Sequence, residues 1–296
     1  MPPYTLFSYS DDTLPSLPPR PERSHKGTFG KVLCVCGSEG MCGAAYFAAK
    51  AAYRTGAGLV RILTVRENLP VLQSLIPEAL VSVYDKDSPN LGLAEDAAAW
   101  ADVLVMGCGL GTTPAARSLL FHLLRHSDKP KILDADALNL LARSPALLPY
   151  VKGAVLTPHA VEMARLTGRS PEELLADPAE SAYCLSVQTN AVCLLKDHRT
   201  AVSNGSSRVY LNTTGNSGMA TGGSGDVLAG ILGGLLAQRD NGELSTFDLT
   251  CLGVYLHGLC GDLAATRLGE YSVMAQDLIE ELPHALFVSD PRRKAR

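Results

Sequence analysis

The chain has 296 residues, 46% of them hydrophobic and 19% charged, with a formal net charge of −4. That length holds one large α/β domain or two smaller ones around a sizeable core, and the composition is that of an ordinary globular protein. The negative balance gives no electrostatic reason to expect nucleic acid or an anionic membrane as partner, and the short basic run Arg292-Arg293-Lys294-Ala295-Arg296 reads as a solvated chain end.

Prolines and the adjacent acids Asp11 and Asp12 interrupt the opening residues, so no secretory leader is expected. The most apolar long stretch, residues 227–237, lies between Asp226 and Gln238 and is too short to span a bilayer. Cys34, Cys36, Cys108, Cys193 and Cys260 sit in apolar or glycine-rich runs and no C-x-x-C pair occurs, which points to reduced, buried thiols and a cytoplasmic location.

Residues 1–25 read as an extended N-terminal arm and residues 26–296 as one domain, since no linker, repeat or low-complexity tract follows Lys26. From Lys31 onward, apolar runs at 32–36, 59–65, 79–84, 102–106, 131–133, 154–156 and 191–195 alternate with helical stretches. Most runs are continuously apolar, as parallel strands covered on both faces are. An alanine-rich helix over 44–55 stops at Gly56, and Pro114 stands in the first turn of a helix reaching Arg125. Beyond Leu195 the order changes: 200–204 and 208–212 flank Gly205-Ser206-Ser207 as a hairpin-like pair, and helices over 226–238, 246–268 and 275–287 close the chain. The expected fold is α/β, a central, mostly parallel sheet with helices on both faces.

Gly222-Gly223-Ser224-Gly225-Asp226 is the strongest local signal. Its glycines let the backbone approach a ligand closely, and the helix that follows directs its dipole and amides at one point, an anion hole suited to phosphate. Asp226 at its edge can accept a proton from an attacking hydroxyl, in an ionised form that the helix dipole should favour, or, equally, serve as an N-cap. Two more glycine clusters, from Gly37 to Gly43 and Gly107-Cys108-Gly109-Leu110-Gly111, fall at strand-to-helix junctions, where open α/β sheets bind ligands. Neither is a dinucleotide fingerprint, and no Walker P-loop occurs.

Other candidates are Thr157-Pro158-His159 ahead of Glu162, the charged run Lys196-Asp197-His198-Arg199-Thr200, and the strand-end acids Asp134 and Asp136. Each has a plain alternative as a helix cap or exposed turn, although a lysine directly after a buried strand can also reach a phosphate. Asp134 and Asp136 suit a metal, substrate hydroxyls or a helix cap. His25, His122, His126, His257 and His284 show no metal spacing and read as structural or surface residues.

Taken in order, Lys26-Gly27-Thr28-Phe29-Gly30-Lys31, Gly43-Ala44, Gly107 to Gly111, Leu133-Asp134-Ala135-Asp136-Ala137-Leu138-Asn139, Leu156 to His159, Lys196 to Thr200, Asn212 to Asn216, Gly222 to Asp226 and Tyr255-Leu256-His257-Gly258 resemble the ADP/ATP-dependent NAD(P)H-hydrate dehydratase family, a branch of the ribokinase-like fold. The resemblance runs from about Lys26 to Leu286 and leaves no room for the N-terminal epimerase domain of bifunctional members. It implies dehydration of the S epimer of hydrated NADH or NADPH at the expense of ADP or ATP. The implied course is phosphorylation of the ring hydroxyl, then loss of phosphate.

The resemblance also implies roles. Asp226 is the catalytic base and contacts the hydrate; Ala44, Gly109 and His159 line the hydrate site. Gly225 and Lys196, Asp197, His198, Arg199 and Thr200 hold the nucleotide. Mg²⁺ is expected on the phosphates, with no protein metal cage, and a homotetramer is the expected assembly. Three departures stand out: Cys108 replaces a common proline, Ala160-Val161 a usual Pro-Gly, and Asp197 a usual glycine. The alternatives are a vitamin-precursor kinase of the same fold, acting on hydroxyethylthiazole, hydroxymethylpyrimidine or pyridoxal, and a nucleotide-sensing protein without turnover.

Overall fold

The computed structural model describes residues 2–10, 13–238 and 243–288; Asp11, Asp12 and the basic run at 292–296 lie outside them. Ten strands form one sheet: β1 (Thr5–Phe7), β2 (Lys31–Val35), β3 (Leu59–Val65), β4 (Leu80–Tyr84), β5 (Val103–Met106), β6 (Lys131–Leu133), β7 (Val155–Leu156), β8 (Val192–Leu195), β9 (Ala201–Ser203) and β10 (Arg208–Leu211). Their spatial order is β1-β10-β9-β8-β7-β6-β5-β2-β3-β4. Pairing is parallel from β8 through to β4, and antiparallel for β8–β9 and β9–β10. The hairpin expected around Gly205 is therefore β9–β10. The proline-rich arm does more than extend along the surface: Thr5, Leu6 and Phe7 pair in parallel with Arg208, Val209 and Tyr210 and add an edge strand.

The central strands are mostly apolar, with β5, β7 and β8 apolar throughout, because both faces are covered. Successive side chains point to opposite faces. Val32 and Cys34 belong to one buried cluster with the helices α1 (Cys42–Thr55) and α2 (Leu69–Leu75). Leu33 and Val35 join the other, with α3 (Leu91–Trp100), α4 (Pro114–His126), α5 (Asp136–Ala142), α6 (Ala160–Thr167), α7 (Pro171–Ala176) and α8 (Pro178–Thr189). The last three helices, α9 (Ser224–Ala237), α10 (Thr246–Leu268) and α11 (Ala275–Val288), return to the first face. The helix punctuation is as expected: Gly56 closes α1 in the left-handed region, and Thr113 caps α4 by accepting from the Ala116 amide, with Pro114 in the first turn.

No helix of the described residues is long and apolar enough to cross a membrane. The apolar run at 227–237 is instead the buried body of α9, packed against α1. The two helices approach through small residues: a methyl on Gly230 would overlap the Ala48 carbonyl oxygen, and one on Gly234 would lie 2.7 Å from that of Ala52. This close crossing fixes where α9 begins. Gly230→Ala should consequently lower stability by about 1–3 kcal/mol through overpacking, despite alanine's better helix propensity. Urea unfolding that leaves Gly230→Ala as stable as the parent would show that α1 and α9 can separate freely.

Candidate active site

Strands β2, β3 and β4 run outward to one side and β5 to β8 to the other, so the order reverses between β2 and β5. In open α/β sheets, ligands bind at such a switch point, outside the carboxyl ends of the strands. The glycine clusters at 37–43 and 107–111 are the two loops that flank it. They touch: a methyl on Gly109 would sit 2.8 Å from Cβ of Ala44 in the first turn of α1. Two residues expected at one ligand site are thus neighbours.

Next along the same edge, Asp134 follows β6. Lys196, directly after β8, places Nζ 2.7 Å from Asp134 Oδ1 and 3.9 Å from Glu162 Oε2. Thr157 donates its hydroxyl to Asp134 Oδ1 at 2.6 Å, and the Cys108 thiol faces Asp134 Oδ2 at 3.8 Å. Both Asp134 and Glu162 are buried. Burial works against the charge of Lys196, but Asp134 and Glu162 together outweigh it and hold the ammonium above its ordinary range.

A strained residue aims the two strand-end acids apart. Ala135 has φ 48° and ψ −114°, a backbone state costing on the order of 1–3 kcal/mol for a residue with a side chain. On one side of it Asp134 turns inward to Lys196. On the other, Asp136 accepts the Gly111 amide at 2.8 Å and ties the second glycine cluster to α5.

The loop at 222–226 meets this cluster from the helix side. Gly223, at φ 93°, is the N-cap of α9, so Asp226 stands in the first turn and is not the cap. The positive φ needs glycine, and a methyl there would also strike the Phe47 ring. Gly225 faces the cation directly: its missing Cβ would lie 3.4 Å from Lys196 Nζ and 3.7 Å from Asp134 Oδ2. Oxygen and sulfur atoms of Asp226, Asp134 and Cys108 lie within 4.8 Å of one another. Burial, then the neighbouring Asp134, push the Asp226 carboxyl up to about 6. The helix dipole was expected to favour the ionised form, and that expectation fails because desolvation beside a second carboxylate is the larger effect.

The cluster is a poor protein cage for a hard cation. Lys196 already occupies Asp134 Oδ1, and the Cys108 thiol, held well above its ordinary range by its contact with Cys36 and by burial, offers a soft, protonated sulfur.

The remaining expected residues divide. His159 caps α6: its Nδ1 accepts the Val161 and Glu162 amides, while the Glu162 carboxylate accepts the His159 amide at 2.9 Å. The cap and the site are one device, because Glu162 also faces Lys196. Helix α6 starts at Ala160 without the usual Pro-Gly. Asp197 to Thr200 form a turn that closes on itself: His198 bonds Asp197 and is largely exposed, Arg199 is exposed, and Thr200 donates to the Asp197 carbonyl. Only Lys196 of that run enters the carboxylate cluster.

His257, read from sequence as structural or surface, is structural at the site itself. Its Nε2 donates to the Ser224 carbonyl at 3.0 Å, and burial, with Lys196 adding to it, pushes the imidazole down to about 4. A neutral ring thus braces the first residue of α9. Glu162 and His257 both lay within motifs visible in the sequence, but Glu162 meets Lys196 because β7 and β8 are neighbours, and His257 meets Ser224 because α10 packs on α9.

The Gly225 geometry yields a separable prediction. The space around its missing Cβ tolerates a methyl at ordinary contact distance, so Gly225→Ala should fold with near-parental stability. The methyl would nevertheless occupy the approach to Lys196, and turnover should fall at least tenfold. Parental turnover in Gly225→Ala would show that no ligand group comes between the loop and Lys196.

The single sheet with its switch point, the carboxylate cluster at its carboxyl edge and the glycine loop opening α9 define a ribokinase-like α/β protein. Residues 32–284 match the family model described as NAD(P)H-hydrate dehydratase, and the chain belongs to that family. It is 40% identical over 255 residues to the ADP-dependent (S)-NAD(P)H-hydrate dehydratase of Neisseria meningitidis serogroup B, covering 84% of this chain and 82% of that one. It is 41% identical over 278 residues to the bifunctional NAD(P)H-hydrate repair enzyme Nnr of Moorella thermoacetica, covering 91% of this chain. The chain spans about half the length of such bifunctional relatives, 52% in that case. Among solved structures, the ADP/ATP-dependent NAD(P)H-hydrate dehydratase of Bacillus subtilis co-crystallised with ATP and Mg²⁺ superposes with a TM-score of 0.79 at 30% identity, covering 93% of this chain and 95% of that chain.

Proposed function

We propose that residues 26–296 form a dehydratase unit that restores NADH or NADPH from the S epimer of its hydrate, using ADP or ATP. The observation that carries this reading is Asp226, raised to about 6 and set in the first turn of α9 between the glycine loop and the Asp134–Lys196 pair. The phosphate chain lies on the loop amides and Lys196, with Lys196 to Thr200 around the AMP part. The hydrated ring lies toward Ala44, Gly109 and His159.

Asp226 takes the proton of the ring hydroxyl as its oxygen attacks the terminal phosphorus, and the nucleotide leaves one phosphate shorter. The ester's C–O bond then breaks with its electron pair going to phosphate, and the departing phosphate takes the proton from the neighbouring ring carbon as the double bond forms. A carboxylate titrating near 6 is better matched to this duty at neutral pH than one near 4. The site groups are positioned, and Gly225 and Lys196 supply the electrostatic stabilisation on which phosphoryl transfer depends. Mg²⁺ brought with the nucleotide would neutralise phosphate charge, and Lys196 and the loop amides would hold the phosphates that carry it. Buried free thiols at Cys34, Cys36, Cys108, Cys193, Cys251 and Cys260 support a reducing, cytoplasmic setting, and a homotetramer is the proposed assembly.

The base sets an acid limb. Turnover should rise with pH through about 6 and level above it, because below that value Asp226 carries the proton it has to accept. A pH–rate profile flat from 5 to 8 would remove Asp226 from this role. The reading as a whole is tested by supplying hydrated NADH and, separately, hydroxyethylthiazole, hydroxymethylpyrimidine and pyridoxal, each with ADP or ATP. Regenerated NADH is expected; a stable phosphorylated vitamin precursor would make the chain a kinase.

A further inference from the structure

At the opposite edge of the sheet, where β5 and β6 begin, His122 and His126, read from sequence as lacking metal spacing, stand four residues apart on α4, so the helix puts their rings on one face. The ring centroids are 4.4 Å apart. His126 donates Nδ1–H to the His122 carbonyl at 2.9 Å, which leaves its Nε2 as the nitrogen with a free lone pair. Metal-ligating imidazoles are held in this way, one nitrogen bonded to a backbone carbonyl and the other turned to the ion. His122 Nε2 is buried with no hydrogen-bond partner, although Glu95 Oε1 of α3 lies 3.3 Å away. One donor atom from each of Glu95, His122 and His126 falls within 4.8 Å of the others.

We propose that Glu95, His122 and His126 bind a divalent ion of the imidazole-preferring class, zinc first among them. Two imidazoles and a carboxylate suit that class and not a hard cation such as Mg²⁺. Bonds of about 2.0–2.1 Å in a tetrahedron place donor atoms about 3.3 Å apart. The His122–Glu95 edge already has that length, and the other two ligands are exposed side chains that can close on the ion. The ion supplies the partner that the buried His122 nitrogen lacks. A cavity of about 690 Å³ adjoins the cluster, lined by Glu95, His126, Asp96 and Asp128 among others, and gives water access to the remaining position. The site joins α3 to α4 and lies at the far edge of the sheet from Asp226. It is therefore independent of the proposed reaction, and its role is to clamp the two helices.

Zinc chloride titrated calorimetrically into the chelator-treated full chain tests this. The parent is expected to bind one equivalent. His126→Gln and Glu95→Gln each alter an exposed side chain and should weaken binding by more than the roughly ten- to hundredfold that even second-layer partners cost. Asp226→Asn should leave it unchanged. Absence of a saturable equivalent in the parent, or its full retention in both His126→Gln and Glu95→Gln, would overturn the assignment. Loss in Asp226→Asn alone would move the ion to the cluster of Cys108, Asp134 and Asp226.

Discussion

Asp226→Asn is expected to fold, to melt at a higher temperature than the parent near neutral pH, and to lose turnover by roughly a hundred- to ten-thousandfold, the usual contribution of a positioned base. The two effects have one origin. Burial beside Asp134 raises the carboxyl of the folded chain to about 6, above its unfolded value near 4. Between those values the folded chain holds a proton that the unfolded chain has released, so stability falls as pH rises from about 4 to about 6 and stays lower above it. The difference is worth up to about 2–3 kcal/mol, reduced because Asp226 keeps some contact with solvent. Asparagine removes the ionisation and with it the penalty. It does not disturb a cap, because Gly223 is the cap. A chemically poised, destabilising carboxylate is a common exchange of stability for activity. Thermal melts at pH 4 and pH 7.5 should show the variant gaining on the parent only at the higher pH. A folded Asp226→Asn protein with near-parental turnover would contradict the base assignment and direct attention to Asp134, Asp136 or His159.

Lys196→Ala carries the second large effect, and the structure changes what it should do. From the sequence it is a phosphate contact at a strand end, whose loss corresponds to about 1.5–3 kcal/mol, or roughly ten- to hundredfold in nucleotide affinity. In the fold it is also the cation that offsets buried Asp134 and Glu162. Breaking a buried pair by removing one partner costs about 3–5 kcal/mol, and the lower end applies because the Lys196 side chain is 22% exposed. Lys196 also lowers the Asp226 carboxyl, so its removal should move the acid limb of turnover to higher pH. Urea unfolding, nucleotide titration and a pH–rate profile read the three effects separately. Parental values in all three would mean that Lys196 belongs to the surface turn formed by the residues after it.

The fold was largely legible because its signals are local. Continuous apolar runs, Gly56 closing one helix and Pro114 opening another, and the turn at Gly205 each announce an element within a few residues. What escaped is non-local. The Thr5–Phe7 strand has no pattern of its own beside so many prolines, and it forms because β10 offers an open edge. At the site, the sequence marks the glycine loop, Asp226 and Lys196, but not that Lys196 spends its charge on Asp134. The pairing depends on β6 and β8 lying either side of β7, a fact of topology. The sign of the Asp226 shift was missed for the same reason: the helix dipole is visible in the chain order, whereas the second carboxylate is 92 positions away in sequence. His257 was set aside for lack of metal spacing, although bracing a backbone carbonyl needs none. Cys108, a departure from the expected loop, packs its thiol against Asp134 and keeps the loop buried without proline.

The central claim is that one chain couples nucleotide cleavage to dehydration at Asp226, and a single stoichiometric assay bears on it most directly. Hydrated NADH is incubated with the full chain, Mg²⁺ and either ADP or ATP, and the rise in dihydronicotinamide absorbance is followed together with inorganic phosphate. One phosphate released per NADH regenerated, with neither signal when nucleotide is omitted or Mg²⁺ chelated, is the predicted result. Regeneration that continues without nucleotide, or nucleotide cleavage with no rise in absorbance, would contradict it.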